Sequence, residues 1–360
     1  KYSGEEGLSS NYSKKIVEDP YGFIWIATQD GLCRFDGKTF IQFNKNTPSK
    51  IAGNDVTDIV IDTKANLIWA STALGGINAI DLKTLKVKKE FLITRPGSEE
   101  LNDWIVSMLL VKNELWIGTN NGLFVYNTGT NSLTGKLETP GVINGTREFR
   151  YQKLISRDQV NIVALINNNS IAVYNSRDKK VIANSISGDT NRDLQISDIT
   201  ITNGKDILAA TIAGIRLFQI PGSSSGKELK LISAAVFDFI KIPNIRLVSK
   251  ESDDILWLAA NNGLYKAVIS TKSISRIAAS TKFQNFDWES SINQIYFDSN
   301  RHLWISGTLG IIASNNSPSP FTSYTALNND VLQIGHTYNI FKDAHSNYLI
   351  NTGNGLIISD

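Results

Sequence analysis

The sequence predicts an all-β fold, a single β-propeller of four-stranded blades, and three observations carry the prediction. A short unit recurs eight times along the 360 residues. The second strand of every unit is apolar on both faces, so it belongs between two stacked sheets. The last unit also lacks an outer strand that the N-terminus is placed to supply. A four-stranded unit of this length cannot bury both faces alone, and radial stacking with closure solves that. The expected ring has eight blades, the N- and C-terminal strands sharing the last one. The alternative is a seven-bladed ring with one unit left over, which leaves an unpartnered sheet.

The first unit, Ile16 to Phe43, sets the pattern. Asp19-Pro20-Tyr21-Gly22 reads as a turn, Phe23 to Thr28 as a strand, Gln29-Asp30-Gly31 as a second turn and Leu32 to Phe35 as the third strand. Asp36-Gly37 is a strong hairpin signal before the outer strand Thr39 to Phe43. Each unit is anchored on a residue of its second strand, followed six positions later by a turn glycine or its substitute. Trp25, Trp69, Trp116, Ala164, Leu208, Trp257, Trp304 and Leu349 are the anchors, at a period of about 46. Gly31, Gly75, Gly122, Gly214, Gly263, Gly310 and Gly355 follow seven of them; Ser170 follows Ala164 in the most degenerate copy. A threonine three after the anchor recurs as Thr28, Thr72, Thr119, Thr211 and Thr352. The tryptophan supplies apolar area between sheets and the glycine permits positive φ in the reversing turn. The eighth unit stops after its third strand, Gly355 to Ile358, and Lys1-Tyr2-Ser3 is the expected source of its fourth.

Between these units lie few departures. The outer strand of unit two, Lys86 to Glu90, is charged, which blunts an exposed edge. Glu138 to Arg147, with Pro140-Gly141 and Asn144-Gly145, reads as an elaborated loop, and Pro221 to Gly226 as a flexible hairpin tip. Residues 1–360 therefore read as one propeller domain. Net charge is +2, with no polybasic run, so neither nucleic acid nor an anionic membrane is implied as a partner. No apolar run spans a membrane and no signal peptide is present. Residue 1 already falls within the repeat, so the sequence is expected to be a mature or excised piece of a longer protein. Cys33 is the only cysteine and reads as a small buried hydrophobe.

The unit resembles the two-component regulator propeller repeat. Ile16 to Asp19, Gly22 to Thr28, Gly31-Leu32 and Arg34 to Gly37 carry the resemblance. Asn120 to Leu123 and Asn261 to Leu264 repeat its turn, and Gly7 to Asn11 resembles the start of the first propeller in such sensors. The resemblance implies the periplasmic sensor region of a membrane-anchored bacterial regulator. Many such regulators are hybrid two-component systems of gut Bacteroidetes that detect oligosaccharides; others carry diguanylate cyclase output. In the hybrid systems two seven-bladed propellers, a β-sandwich, a membrane helix and a kinase follow one another. This sequence shows one propeller and none of the rest. The family has no fixed binding motif to carry over.

Catalytic signals are poor. His302, His336 and His345 lack metal-ligand spacing; His302 and His345 fall in solvated outer turns. Asp19, Asp62, Asp298 and Asp343 each precede a turn and read as Asx turn-makers. No enzyme activity, cofactor or metal is expected. Ligands of a propeller sit near the channel on the face shared by the blade-to-blade loops and the second-to-third turns. There Tyr12, Asp103-Trp104, Arg150 and Asp287-Trp288-Glu289 place aromatic planes beside charges, which suits a sugar. Trp104 and Trp288 are not anchors; Trp104 aligns with Val56 of the first strand, where it could serve the core. The expected function is a periplasmic sensor that binds an oligosaccharide or other small ligand and signals to a cytoplasmic kinase. It is expected to form a homodimer in the full-length protein and to touch the membrane only through segments outside this sequence. The alternatives are a protein-binding or dimerising scaffold and, third, a propeller lyase or glycosidase.

Overall fold

The computed structural model describes residues 1–74, 76–93, 103–139, 149–185, 195–202, 206–220, 227–232, 235–277, 292–314, 337–342, 348–352 and 355–359. The chain forms two compact units, Lys1–Asn316 and Ser317–Asp360.

In the first unit seven sheets succeed one another, each antiparallel except that Lys227–Glu228, from the chain after the third strand of blade five, pairs in parallel with the outer strand of blade four, Val181–Ser185. Blade one consists of Ser13–Glu18, Ile24–Thr28, Gly31–Phe35 and Phe40–Phe43, paired in that order from the innermost strand outward. The inner strands of blades two to seven are Val56–Asp62, Ile105–Val111, Tyr151–Ser156, Ile196–Thr202, Ile245–Lys250 and Ile292–Phe297. The second strands are almost wholly buried, as the two-faced apolar pattern predicts.

The expected ring of eight blades is corrected to seven by the way the core closes. A separate apolar cluster fills each junction between successive blades: Trp25 packs against Ile59 and Ile68 of blade two, and Trp69 against Leu115 and Tyr126 of blade three. The series continues to Trp257 at the junction of blades six and seven. The last cluster joins Trp304 and Ile311 of blade seven to Ile16, Ile24 and Phe35 of blade one. Blade seven has three named strands, Ile292–Phe297, Leu303–Gly307 and Gly310–Ala313. Its outer position is taken by Tyr2, which exchanges both backbone hydrogen bonds with Ile311 at 2.8 Å. The tyrosine ring lies 4.7 Å from Phe35, 5.8 Å from Phe40 and 6.4 Å from Trp304. The N-terminus thus completes the seventh sheet and not the eighth. Sequence logic identifies the clasp but assigns it to the wrong blade, because all units share the same third strand. The eighth repeat is a three-stranded sheet in the second unit, Thr337–Lys342, Tyr348–Thr352 and Gly355–Ser359.

Two registers also differ from expectation. In blade four, Val163 pairs with Ile155 as Trp25 pairs with Val17, so the anchor position is Val163 and Ala164 faces the other neighbour. With a side-chain period of two, this one-residue slip reverses the face. In blade two the glycine equivalent to Gly31 is Gly76, which the turn reaches one residue later. The recurring threonine ties the turn together. Thr28, Thr72, Thr119 and Thr211 each donate Oγ1–H to the carbonyl of the glycine at the head of the third strand. Gly31 is at φ 126, and a Cβ there would lie 2.6 Å from the Phe43 carbonyl oxygen. Blade four achieves the same reversal without glycine, with Asn167 and Asn168 at φ 52 and 58.

Asx turns are made as predicted. Asp19 Oδ1 accepts from Tyr21 N and Phe23 N, and Asp62 Oδ1 from Ala65 N. Asp298 Oδ1 accepts from Asn300 N and His302 N. The second oxygen does something the sequence reading misses: Asp19 Oδ2 accepts the indole N–H of Trp25 at 2.8 Å, and Asp298 Oδ2 that of Trp304 at 3.0 Å. Glu251 serves Trp257 in the same way at 2.7 Å. His302 is no free solvated histidine, since its Nδ1 stands 2.9 Å from Asp298 Oδ2. Cys33 is fully buried and unbridged, its sulfur 3.3 Å from Ser9 N. His336, His345, Asp343, Pro221 to Gly226 and the Pro140-Gly141 and Asn144-Gly145 turns lie outside the described residues.

Candidate functional site

The inner strands converge on a channel, and each carries the same irregularity. In all seven, the register to the second strand skips a residue near the strand start, a β-bulge. A bulge re-aims a side chain. Its consequence is that two consecutive residues of one strand face the channel, as with Lys14 and Lys15, Gln152 and Lys153, or Asn293 and Gln294. These surfaces enclose a cavity of about 510 Å³.

The residue after the bulge stitches the ring together. Asp58 of blade two accepts from Met108 N of blade three at 2.7 Å. Asp198 of blade five accepts from Val248 N of blade six at 3.0 Å. Gln294 of blade seven accepts from Ile16 N of blade one at 2.5 Å. The donating backbone positions are equivalent, the fourth residue of each inner strand, whose N–H is left over by the ladder. Both aspartates are buried, and each meets a lysine from the preceding blade: Lys15 to Asp58 at 3.1 Å and Lys153 to Asp198 at 2.6 Å. Blades one to three and four to six thus repeat one lysine–aspartate–backbone relay. The sequence reading misses all of these residues. Their signal is a polar side chain about ten positions before each anchor, hidden because edge strands of any sheet alternate polar and apolar.

At one mouth of the channel, the residue just before the inner strand forms a rim in blades one to six. Its carbonyl is fixed by the facing second-to-third turn: Gln29 N donates to Tyr12 O, Asn120 N to Trp104 O and Asn167 N to Arg150 O, at 3.0 to 3.1 Å. Tyr12, Trp104 and Arg150, chosen from sequence as members of the blade-to-blade loops, occupy one repeat position, shared with Asp55, Gln195 and Asn244. Trp104 is 48% exposed and Tyr12 38% exposed. The alignment of Trp104 with Val56 is corrected: Ile105 pairs with Thr119 as Val56 pairs with Thr72, so Trp104 stands beside Asp55 in the rim and outside the core. Asp103 is fully buried and presents nothing to solvent. Lys14 ion-pairs with Asp55 and sits 5.9 Å from the centre of the Tyr12 ring. Asp287, Trp288 and Glu289 lie outside the described residues. Among the described residues there is no cluster of three or more potential metal ligands, and no helix is long and apolar enough to cross a membrane.

Comparison with known proteins agrees with this architecture. Residues 7–30 match the family described as two component regulator propeller. Among solved structures, the chain is similar to the extracellular domain assigned to the hybrid two component system BT3049 from B. thetaiotaomicron, with 20% identity and a TM-score of 0.68. The alignment covers 100% of this chain and 47% of that one. The extracellular domain of BT4673 from the same organism gives 20% identity and a TM-score of 0.63, covering 98% of this chain and 44% of that one. The β-propeller domain of Cps50 (Swd1) from Myceliophteria thermophila gives 12% identity and a TM-score of 0.62, covering 85% of this chain and 98% of that one. At these identities the likeness establishes the fold. The chain spans about half the length of the two bacterial extracellular domains. No curated protein matches it in sequence.

Proposed function

We propose that this chain, which carries the two component regulator propeller repeat, is part of the periplasmic sensor region of a membrane-anchored, two-component-type regulator, and that it binds an oligosaccharide at the rimmed mouth of its channel. The observation that carries the reading is the rim. A tyrosine, a tryptophan and an arginine occupy one repeat position, held by backbone hydrogen bonds to the turns, and each lies two residues before one that lines the cavity, Lys14, Val106 and Gln152. An exposed aromatic face packs on sugar CH groups, while amide and charged side chains take the hydroxyls. Trp104 is not required by the repeat, and its exposure adds nothing to the core. Catalysis is not part of the reading. Asp58 and Asp198, the carboxylates of the cavity, are each engaged by a lysine and a backbone N–H, which leaves neither placed as a general acid or base.

The test is a thermal-shift screen of the chain against a panel of oligosaccharides, repeated with Trp104→Ala and Tyr12→Ala. A ligand that binds only the folded state raises Tm by mass action. The reading expects a saturable shift with one glycan class, lost in Trp104→Ala while the unliganded Tm stays within a degree or two. A shift that survives both substitutions would remove the rim from the account.

A second reading is favoured by Ile41, Leu92, Leu133 and Leu231, large apolar residues exposed on the outer strands of four blades. They suit a scaffold or homodimer that associates through blade edges. Sedimentation of the chain over a hundredfold concentration range would show a dimer in that case and a constant monomer otherwise.

A further inference from the structure

We infer that the channel site is selective for an anionic glycan, one whose carboxylate or sulfate group enters between Lys15 and Lys153. The inference rests on the sensor reading above and specifies its ligand class. Four lysines line the cavity, each with one carboxylate partner: Lys15 with Asp58 and Lys153 with Asp198 inside it, Lys14 with Asp55 and Lys250 with Asp253 beyond its lining. Both carboxylates inside the cavity are buried and already engaged. Asp58 already receives Ile59 N at 2.8 Å, Met108 N at 2.7 Å and the Lys15 ammonium; Asp198 receives Val248 N at 3.0 Å and the Lys153 ammonium.

The lysines are in the opposite condition. Each ammonium carries three donors, and the shared aspartate uses one. The side chains of Lys15 and Lys153 keep 34% and 36% of their surface open, against 6% and 5% for their aspartates. The pairing therefore fixes each ammonium without covering it, which leaves spare donors aimed at the cavity. Their placement adds geometry to charge. Lys15 is on blade one and Lys153 on blade four, on opposite arcs of a ring of seven, so ammonium donors reach the cavity from two sides. Arg150, two positions before the cavity-lining Gln152, adds to the attraction for a negative ligand, while the charge of Lys14 is balanced by Asp55.

The experiment is calorimetric titration of the chain with oligogalacturonate and with its methyl ester, which keeps the sugar and removes the charge. A sulfated galacto-oligosaccharide run alongside distinguishes sulfate from carboxylate. The inference expects binding of a charged glycan at least tenfold tighter than of the ester, weakening as salt rises from 50 to 500 mM. It also expects a tenfold or greater loss in Lys15→Met and Lys153→Met, with partial rescue in Lys15→Arg and Lys153→Arg. The rescue variants guard against a loss that reflects folding alone, and each variant's unliganded Tm is measured beside it. Equal binding of the ester, or charged-glycan binding indifferent to both lysines, overturns the inference and leaves the sensor reading standing. No heat with these probes, together with a saturable Tm shift for a neutral sugar of the wider panel, also overturns it. No response to any glycan overturns both.

Discussion

At the scale of single residues, the anchor tryptophans are not equivalent, and a spacing explains why. Trp25, Trp257 and Trp304 each have an acidic residue six positions earlier, and each indole N–H finds that carboxylate. Trp69 and Trp116 have Thr63 and Leu110 at that offset, and their indole nitrogens are buried without a hydrogen-bond partner. A buried unpaired donor costs about 1–3 kcal/mol. Trp25→Phe strands the second oxygen of Asp19 and loses a charge-assisted bond, so about 2 kcal/mol of stability should go. Trp69→Phe removes an unpaired donor together with a little apolar area and should change stability by less than about 1 kcal/mol. Melting temperatures of the two variants give the comparison. Asp298 adds a pH dependence. Burial by itself would raise its carboxyl, but hydrogen bonds from Trp304 and from the backbone and ring of His302 outweigh it and hold the group below its ordinary 3.8. A carboxyl held low in the folded state contributes stability above its unfolded pKa and loses it as pH falls toward the folded value. Tm should therefore fall more steeply below about pH 4 in the parent than in Asp298→Asn. The turn role of these aspartates is legible in the sequence. The indole bond is legible only as a six-residue spacing, whose meaning depends on the strand register.

At the scale of the element, the turn between the second and third strands does the most with the fewest residues. Gly310, at φ 100, is approached so closely by the clasp that a Cβ there would lie 2.3 Å from the Tyr2 carbonyl oxygen. In blade one the corresponding glycine meets the Phe43 carbonyl of the fourth strand, so Tyr2 stands where a fourth strand stands elsewhere. Gly310→Ala should push the clasp off blade seven as well as strain the turn, and cost more than about 2 kcal/mol. Gly22 is the control, at φ 84 with nothing near its Cβ position. Gly22→Ala introduces backbone strain alone, about 1 kcal/mol. Hydrogen exchange at the Ile311 amide reads the clasp directly and should accelerate in Gly310→Ala only. Repeat number, strand order and turn glycines are legible because they depend on local periodicity. The registers of blades two and four are not, because a turn one residue longer in blade two, and the loss of the tryptophan in blade four, leave nothing local to mark the frame.

At the scale of the whole molecule, the channel exists only because blade seven closes on blade one. The lysine–aspartate relays, the Gln294 bond to Ile16 and the rim all depend on that junction or its equivalents. Which unit completes the ring is a non-local fact, and eight copies of one pattern carry no mark of it. For that reason the all-β propeller of four-stranded blades and the loop position shared by Tyr12, Trp104 and Arg150 can be read from sequence, while the blade number and every residue of the relays cannot. The closure is tested most directly by cross-linking. In a Cys33→Ser background, Tyr2→Cys is combined with Ile311→Cys in one protein and with Leu356→Cys in another, the pair an eight-bladed ring would have joined. Directly opposed strand residues have the Cα separation that a disulfide accepts. Mild oxidation should produce an intramolecular disulfide with Ile311→Cys and raise Tm, and should produce none with Leu356→Cys. A disulfide formed only with Leu356→Cys would contradict the seven-bladed ring and, with it, the channel on which the proposed site is built.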